Sequence, residues 1–360
     1  MRVLVVNTGS SSLKLSVLDS GSDATVASRH VESWAGLDAS PVAALLADSG
    51  PVDAVGHRVV HGGVELRSAV VIDDAVVERI EAVTPLAPLH QPRALAGIAV
   101  AQRAAPELPH VACFDTAYHA TLPEAAATYA LPAAWRERWP LRRFGFHGLS
   151  HAYAARQAAE LVGARRVVTC HLGAGASLCA SLDGRSVDTT MGFTPLEGLV
   201  MATRSGTVDP GLVLWLITEA GLAPDAVRHA LEHDSGVLGL AGTSDMREVV
   251  AEGGLAFDVY VHTLVRHIGA MAASLDGLDA LVFTAGVGEN SPEIRAATTA
   301  RLTHLGVSVD PTRNESPAYA DVNTANADIS GQAAKVATLV VQAREDLEIG
   351  RQVAGVLPPG

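Results

Sequence analysis

Hydrophobic residues along the chain fall into short blocks, and three of these blocks are each followed by a loop of small and polar residues. The blocks are Val3–Val6, Arg166–Thr169 and Leu281–Thr284. The first two continue into a second run, at 13–17 and 178–182, which predicts a β-hairpin whose turn can meet a ligand. The two hairpins suggest one structural unit used twice, although their sequence identity is too low to prove a duplication.

The rest of the pattern predicts helices, a turn and one domain boundary. After the third block, Ser291 and Pro292 suit the N-cap and the first position of a helix. The polar stretch 21–24 predicts a turn between strands, and a boundary is placed near residue 117 from topology alone. Capping residues predict a helix that follows Ser150 and runs through Val162, and another that opens at Asp209-Pro210 and runs through Ala220. Apolar residues at helical spacing predict helices over 255–275 and 334–353.

Length and composition indicate a globular chain with two domains. Its 360 residues exceed one ordinary core, and 48% hydrophobic with 18% charged residues excludes disorder. No apolar run approaches the ~20 residues that span a bilayer. The net charge of −13 argues against non-specific nucleic-acid binding. Cys113, Cys170 and Cys179 lack metal-ligand spacing, which favours reduced thiols and a cytoplasmic location.

Two small-residue loops are candidates for phosphate binding. The segment 7–14 offers backbone N–H groups without crowding, hydroxyls, and Lys14, one of only two lysines among 26 basic residues. It lacks the spacing of a Walker A loop, and a tight polar hairpin is an equally good interpretation. The loop around Gly286 and Gly288 precedes a helix whose N-terminus suits an anion, but an ordinary strand-to-helix turn explains it as well.

Arginine and histidine also recur close to glycine, in segments 57–63, 142–148 and 203–206. Arginine binds carboxylate and phosphate through two parallel hydrogen bonds. Asp115 follows the apolar stretch 111–114 and fits a carboxylate at the end of a strand, and the alternative interpretation is a helix cap or turn residue. Neither a serine nucleophile elbow nor a His-Glu-x-x-His zinc motif is present. The residues alone therefore indicate a phosphate-handling enzyme.

Several longer motifs together resemble the acetate kinase family and cover nearly the whole chain in family order. They are VNTGSSSLK at 6–14, GHRVVHGG at 56–63, FDTAYH at 114–119, RRFGFHGLSH at 142–151, TCHLGAGAS at 169–177, DTTMGFTPLEGLVMATRSGTVDP at 188–210 and FTAGVGENS at 283–291. The resemblance implies an α/β fold: a two-domain, actin-like ATPase (duplicated ribonuclease H-like) architecture with mixed sheets flanked by helices. It assigns 1–117 plus 344–360 to an N-terminal acyl-kinase domain and 118–343 to a C-terminal nucleotide-binding domain.

The resemblance also implies a reaction, reversible in-line phosphoryl transfer from ATP to acetate with Mg²⁺, and a homodimer. Its catalytic residues fall on Arg58, Asp115, His147 and Arg204. Its acyl pocket falls on Arg58, Val60, Leu89, Phe146 and Pro195, and its metal-associated residues on Asn7 and Glu345. Its ATP-binding positions fall on Ser10, Ser12, Lys14, His171, Gly173, Gly175, Asp245, Arg247, Gly286, Val287 and Asn290.

The chain departs from the family pattern near several of these positions. Ala174 stands where the family has Asn, and Gln91, Leu149, Ala202, Thr207 and Arg344 differ as well. The stretch between Ser16 and Asp53 is also shorter than is usual in the family. Two alternatives therefore stay open. One is a propionate or butyrate kinase, since one methylene changes discrimination by only ~1–3 kcal/mol. The other is a catalytically impaired nucleotide-binding homologue.

Overall fold

The computed structural model describes residues 1–9, 12–34, 36–317 and 326–357, and these divide into two compact units. Unit 1 consists of Met1–Ala120, Phe146–Tyr153 and Arg344–Gly360, and unit 2 of Thr121–Gly145 and Ala154–Ala343. The chain therefore leaves unit 1 and returns to it twice.

The described residues form the strands β1 Arg2–Thr8, β2 Leu13–Asp19, β3 Ala24–Val31, β4 Ala54–Val59, β5 Val70–Val71, β6 His110–Phe114, β7 Arg166–Leu172, β8 Ala176–Leu182, β9 Arg185–Thr189, β10 Ala280–Thr284, β11 Ala327–Asp328 and β12 Ala337–Val340. They form the helices α1 Ser40–Ser49, α2 Asp74–Ala82, α3 Gln91–Ala104, α4 Glu124–Ala127, α5 Ala133–Arg138, α6 Gly148–Val162, α7 Pro210–Thr218, α8 Pro224–His233, α9 Gly236–Ala241, α10 Met246–Glu252, α11 Gly254–Ser274, α12 Ala285–Asn290, α13 Pro292–Thr299, α14 Pro311–Glu315 and α15 Glu345–Val356.

The two sheets have the same topology. The order is β3-β2-β1-β4-β6-β5 in unit 1 and β9-β8-β7-β10-β12-β11 in unit 2. In each sheet the central pairs are parallel and the other pairs antiparallel. Both second strands carry a bulge after their fifth residue, Val17 in β2 and Ala180 in β8. One architecture is therefore used twice, as the two hairpins suggested, and the expected mixed-sheet α/β fold is confirmed.

In unit 1, alternate side chains of β1 point to opposite faces of the sheet. Helices cover both of these faces. Leu4 and Val6 belong to a core with residues of α1 and α3. On the other face, α15 approaches β4 so closely that a Cβ on Gly56 would overlap Ile349 and Val353. The absence of a side chain at Gly56 lets the middle of α15 pack closely against β4.

The core of unit 2 forms where α11 packs against β7 and β8. The side chains of Cys170, Leu178 and Phe283 are fully buried in this unit. Cys170 and Cys179, like Cys113 of unit 1, are buried free thiols. No helix among the described residues has the length and apolar character needed to cross a membrane.

One predicted helix is wrong. Residues 334–353 contain the strand β12 and only the first part of α15. β12 pairs in parallel with β10 and is buried, so its apolar residues show no alternation that would separate a strand from a helix. The other predictions hold within a few residues: α6 begins at Gly148 rather than after Ser150, α7 ends at Thr218, and α11 matches its predicted span.

Candidate active site

Four of the predicted site residues meet at one edge of the unit 1 sheet. Asn7 lies near the end of β1, Arg58 near the end of β4, and Asp115 directly after β6. These three strands are parallel, so their carboxyl ends share that edge. Glu345, the first residue of α15, completes the group. We call these four side chains the Arg58 cluster.

Arg58 binds all three of its partners at once. Its Nη2 donates to Asp115 Oδ2 at 2.7 Å, and its Nε lies 3.1 and 3.2 Å from the two Asp115 oxygens. Its Nη1 lies 3.1 Å from Glu345 Oε2 and donates to Asn7 Oδ1 at 3.4 Å. Asn7 Nδ2 in turn donates to Glu345 Oε2 at 3.1 Å. The planar guanidinium therefore links two carboxylates in a fixed geometry.

Burial strengthens the electrostatic interactions between the charged groups of this cluster. The Asp115 side chain is only 1% exposed, against 14% for Glu345 and 19% for Arg58. Burial, with the nearby Glu345 charge, raises the pKa of Asp115 to about 6, although Arg58 opposes the rise. Burial alone would lower the pKa of Arg58, but the carboxylates outweigh it and raise that pKa. At neutral pH both groups are therefore charged.

The backbone after Asp115 is joined to the segment that carries His147. The Gly148 N–H donates to the Asp115 carbonyl oxygen at 2.9 Å, and a Cβ on Gly148 would overlap that oxygen. His147 itself has a φ of +55°, a conformation that L-residues rarely adopt. Its carbonyl oxygen accepts a hydrogen bond from His151 N–H at 2.9 Å. Unit 1 therefore ties the histidine segment directly to the end of β6.

The predicted acyl-pocket residues of unit 1 differ in exposure. Phe146 is buried, with its ring edge-on to His61 at a centroid distance of 5.6 Å. Val60 is partly exposed, and Leu89 exposes 55% of its surface. The loop after Val60 is held by Gln91, which accepts from His61 N–H and donates to His61 O at 2.7 Å. Gln91 is one of the departures from the family, and its buried amide supports this loop.

The first predicted phosphate loop lies at the turn between β1 and β2. The Gly9 N–H donates to Ser12 O at 2.8 Å, which closes the turn. Lys14 is exposed and pairs across the hairpin with Asn7. Ser10, predicted to bind ATP, lies outside the described residues. The sheet therefore sets Lys14 beside a member of the Arg58 cluster.

Unit 2 brings together the second loop and the Gly286 segment. His171 pairs with Ser177 across the hairpin and with Thr284 in the parallel direction. The Gly173 N–H donates to Gly175 O at 3.1 Å and closes the turn. The strands β7 and β10 thus deliver both segments to one edge of the sheet.

The Gly286 segment is a short helix, whereas a loop was expected. Ala285 has a φ of +65°, and α12 runs from there to Asn290. Val287 is partly buried within it, and Asn290 Nδ2 donates to Gly286 O at 2.8 Å. The predicted helix start is confirmed for α13, because Ser291 Oγ accepts from Ile294 N–H and Pro292 follows it. The turn and hydrogen bond of α12 could not be foreseen from spacing.

Asp245 and Arg247, assigned to nucleotide binding by resemblance, lie at the start of α10. Asp245 is the N-cap of that helix and accepts from Arg247 N–H at 2.9 Å. The two side chains also form an ion pair, and hydrogen bonding to Arg247 lowers the pKa of Asp245 to about 2. In the structure, therefore, Asp245 caps α10, and Arg247 provides both the N–H that Asp245 binds and the cation that pairs with it.

Arg204 differs from Arg58 in its surroundings. Its Nη1 donates to the Pro195 carbonyl oxygen at 3.2 Å and lies 3.8 Å from Met201 Sδ. Burial lowers its pKa, and the charge of Glu232 opposes that shift. Among the described residues it forms no ion pair within 4.0 Å. A half-buried guanidinium whose hydrogen-bond partners are neutral is a suitable binding group for an anion.

Two carboxylates of unit 2 were not singled out from the sequence. Glu289 Oε1 accepts from Ala343 N–H at 2.9 Å, and burial raises its pKa. Glu197 binds Arg143 and Tyr129. Both lie inside the quoted motifs, and that membership was the only available signal. The described residues contain no group of three or more His, Cys, Asp or Glu side chains that could hold a metal ion.

The duplicated sheet topology, with cationic and carboxylate groups at the strand ends, defines a two-domain α/β protein of the actin-like class. Comparison with known proteins narrows the class. The Acetokinase family matches residues 40–351, and an acetate kinase of Leifsonia xyli subsp. xyli is 44% identical with 99% of each chain covered. This chain belongs to the acetokinase family.

Solved structures give the same result. A Porphyromonas gingivalis acetate kinase matches with a TM-score of 0.89 at 34% identity, covering 99% of this chain and 100% of that one. A propionate kinase from Francisella tularensis matches almost as well, with a TM-score of 0.88 at 32% identity and the same coverage. The backbone alone therefore does not separate the two acids.

Proposed function

We propose that this chain catalyses reversible transfer of the γ-phosphoryl group of ATP to acetate, forming acetyl phosphate and ADP. Relatives that carry the name acetate kinase are 38–46% identical to it. The single observation that carries the proposal is the Arg58 cluster, in which a guanidinium is held by two carboxylates at the carboxyl ends of parallel strands. The most basic requirement of the proposed reaction is that two anions, acetate and a phosphate, come into contact.

Acetate is already a nucleophile, so the reaction needs positioning and charge stabilisation more than a strong base. We assign Arg58 and Arg204 to hold the carboxylate and the transferring phosphoryl group. Asp115 fixes the Arg58 fork, and the His147 imidazole donates to the phosphoryl oxygens as charge develops there. The transfer is direct and in line. Isolation of a phosphorylated residue that turns over at the rate of the reaction would contradict it.

The nucleotide and its metal are part of the same proposal. We assign the first phosphate contacts to Ser10, Ser12 and Lys14. The second set consists of His171, Gly173, Gly175, Asp245, Arg247, Gly286, Val287 and Asn290. Asn7 and Glu345 fit Mg²⁺ chemically, because this ion prefers carboxylate and amide oxygens and takes its remaining ligands from water and phosphate. A bound Mg²⁺ would neutralise phosphate charge.

Domain roles, assembly and location complete the proposal. Unit 1 would bind the acid and unit 2 the nucleotide, and the dependence on ATP suits the cytoplasm. The chain would act as a homodimer. Support for a dimer comes from α7, a nine-residue helix without a buried residue, where Leu214 and Trp215 are 61% and 54% exposed. Light scattering after gel filtration tests this: Leu214→Glu with Trp215→Glu should give a monomer.

A propionate kinase is the second candidate, favoured by the similar fit to that solved structure. Val60 and Phe146 would line a pocket for a short chain, and Leu89 exposes 55% of its surface. Comparison of kcat/KM for acetate, propionate and butyrate decides between them. A higher value for propionate than for acetate would transfer the proposal to that acid.

The decisive experiment is a hydroxamate assay with ATP, Mg²⁺ and acetate. The wild-type protein should form acetyl hydroxamate, and Arg58→Ala or Arg204→Ala should lower the rate ~10³-fold, as for arginines that stabilise phosphoryl transfer. The matched controls are Arg29→Ala in unit 1 and Arg165→Ala in unit 2, whose side chains form exposed ion pairs. A wild-type protein without activity would support the impaired homologue, and variants within about tenfold of wild type would reject the assigned roles.

A further inference from the structure

Only Pro195 of the motif MGFTPLEGL at 191–199 has entered the proposed site so far. The same segment contains Glu197, a carboxylate with two strong partners. We propose that Glu197 is a positioning residue: it fixes the turn that presents the Pro195 carbonyl oxygen to Arg204. The inference rests on the proposed function for its catalytic consequence, but the link from Glu197 to Arg204 can be tested without any activity.

Glu197 is clamped by two side chains from a different part of unit 2. Its Oε1 accepts from Arg143 Nη2 at 2.7 Å, and its Oε2 accepts from the Tyr129 hydroxyl at 2.5 Å. The Arg143 guanidinium also lies over the Tyr129 ring, 5.5 Å from its centroid. The arginine side chain is 17% exposed and that of Glu197 34% exposed, so the pair is partly shielded from water. Charge-assisted bonds of this kind are stronger than neutral ones.

The clamp also holds the backbone of the turn. The Tyr129 hydroxyl oxygen accepts from Phe193 N–H at 2.9 Å while it donates to Glu197. Arg143 Nη1 donates to Thr190 O at 3.2 Å. Each partner of Glu197 therefore binds the chain before the turn as well as the carboxylate after it. Residues 190–197 are closed into a loop by side chains rather than by secondary structure.

Gly192 sets how tightly this loop closes. A Cβ at Gly192 would overlap both the Glu197 carboxylate and the Tyr129 hydroxyl. The Gly192 carbonyl oxygen accepts from Phe144 N–H at 3.0 Å. The carboxylate therefore packs directly against the backbone, and a change in its charge or shape is transmitted to the turn.

Pro195 lies within the clamped loop, and its carbonyl oxygen accepts from Arg204 Nη1 at 3.2 Å. The Arg204 backbone is held separately, because Met201 N–H donates to Arg204 O and Ser205 N–H donates to Leu231 O, each at 3.1 Å. The Pro195 carbonyl oxygen therefore directs the guanidinium, with a longer contact to Met201 Sδ at 3.8 Å, whereas the Arg204 backbone is held independently of Pro195. A displacement of ~1 Å in a reacting group can lower a rate ~10²-fold.

The first measurement is the rate at which phenylglyoxal modifies Arg204, followed by peptide mass spectrometry on the full-length protein. Glu197→Gln removes the charge and one acceptor while it keeps the side-chain shape. We expect modification of Arg204 to become at least threefold faster in this variant. The control is Asp279→Asn, which breaks another arginine–carboxylate pair of unit 2, Arg166–Asp279 at 2.6 Å, and should leave the rate at Arg204 unchanged.

The second measurement is kinetic. Glu197→Gln should lower kcat about 10- to 100-fold with the KM for ATP within twofold, since the nucleotide positions are intact. Tyr129→Phe should give a smaller loss of the same kind, and Asp279→Asn should lower thermal stability alone.

The outcomes separate the positioning role of Glu197 from the proposed function of the whole protein. Unchanged Arg204 modification in Glu197→Gln overturns the positioning role, whether or not the protein is active. Faster modification with a loss of kcat supports it. A third outcome combines faster Arg204 modification in Glu197→Gln with a wild-type protein that forms no acetyl hydroxamate. That outcome supports the link from Glu197 to Arg204 and rejects the proposed function.

Discussion

Removal of Arg58 should make the stability of unit 1 depend on pH in a defined way. In the wild-type protein the Asp115 carboxylate is 1% exposed and has a pKa of about 6, because burial raises it and Arg58 opposes the rise. Without the guanidinium, Asp115 keeps the burial and the Glu345 charge but loses its cation. Buried carboxyl groups of that kind reach pKa values of ~8–9.

The magnitude follows from proton linkage. The folded Arg58→Ala variant holds a proton on Asp115 that the unfolded chain releases above its ordinary pKa, so the stability of the variant falls as the pH rises. In the wild-type protein that fall stops near pH 6. Above pH 6 the difference should therefore grow by about 1.4 kcal/mol per pH unit, reaching roughly 2.7 kcal/mol at pH 8. Any loss of packing in Arg58→Ala adds a term to this stability difference that does not depend on pH.

The assay is urea denaturation at pH 6, 7 and 8, read by tryptophan fluorescence. Trp34 is 4% exposed and lies in unit 1, whereas Trp135, Trp139 and Trp215 lie in unit 2. In a background with those three replaced by phenylalanine, Trp34 reports on unit 1. Arg58→Ala with Asp115→Asn is the control, since no carboxyl group remains to titrate. An Arg58→Ala difference that is equal at pH 6 and pH 8 would refute the reasoning.

Three further predictions follow from the same structure. Protonation of Asp115 weakens its bond to Arg58, so kcat/KM should fall about tenfold per unit below pH 6; a profile that stays level to pH 5 would contradict this. Burial, with His110 nearby, lowers the pKa of His57 to about 3. The free energy of unfolding should therefore fall by about 1.4 kcal/mol per pH unit as the pH falls from 6.5 toward 3. Urea titrations of His57→Gln should show a flatter pH dependence. Gly148→Ala would drive a Cβ into the Asp115 carbonyl oxygen, so it should cost about 1–3 kcal/mol and lower kcat, whereas Gly269→Ala, which meets no atom within 4 Å, should leave kcat unchanged. Equal kcat values for the two glycine variants would count against the Asp115–Gly148 contact.

Local elements could be predicted where the chain carries its own signals. The hairpin β1–β2 follows from an apolar block, a turn of small residues and the alternation of Leu13, Leu15 and Val17. The start of α13 follows from Ser291 and Pro292, because capping is decided by neighbouring residues. β12 could not be recognised, since a strand buried on both faces has the hydrophobic pattern of a buried helix.

The site depended on contacts between distant parts of the chain. Local sequence patterns suggested Arg58 and Asp115 one by one, whereas Glu345 came only from the family resemblance, which also connected the three. Their meeting needs parallel pairing of β4 with β6 and the return of the chain to unit 1 at α15. The duplication likewise became visible in strand order, which survives when side chains diverge.

By itself, the amino-acid sequence determined the local elements, the phosphate-handling chemistry and, through its motifs, the family. Tertiary structure alone decided that two carboxylates enclose Arg58 while Arg204 binds the neutral carbonyl oxygen of Pro195. The physical reason is that propensity and periodicity are properties of neighbouring residues, whereas burial, charge pairing and pKa depend on segments that the fold brings together across the chain.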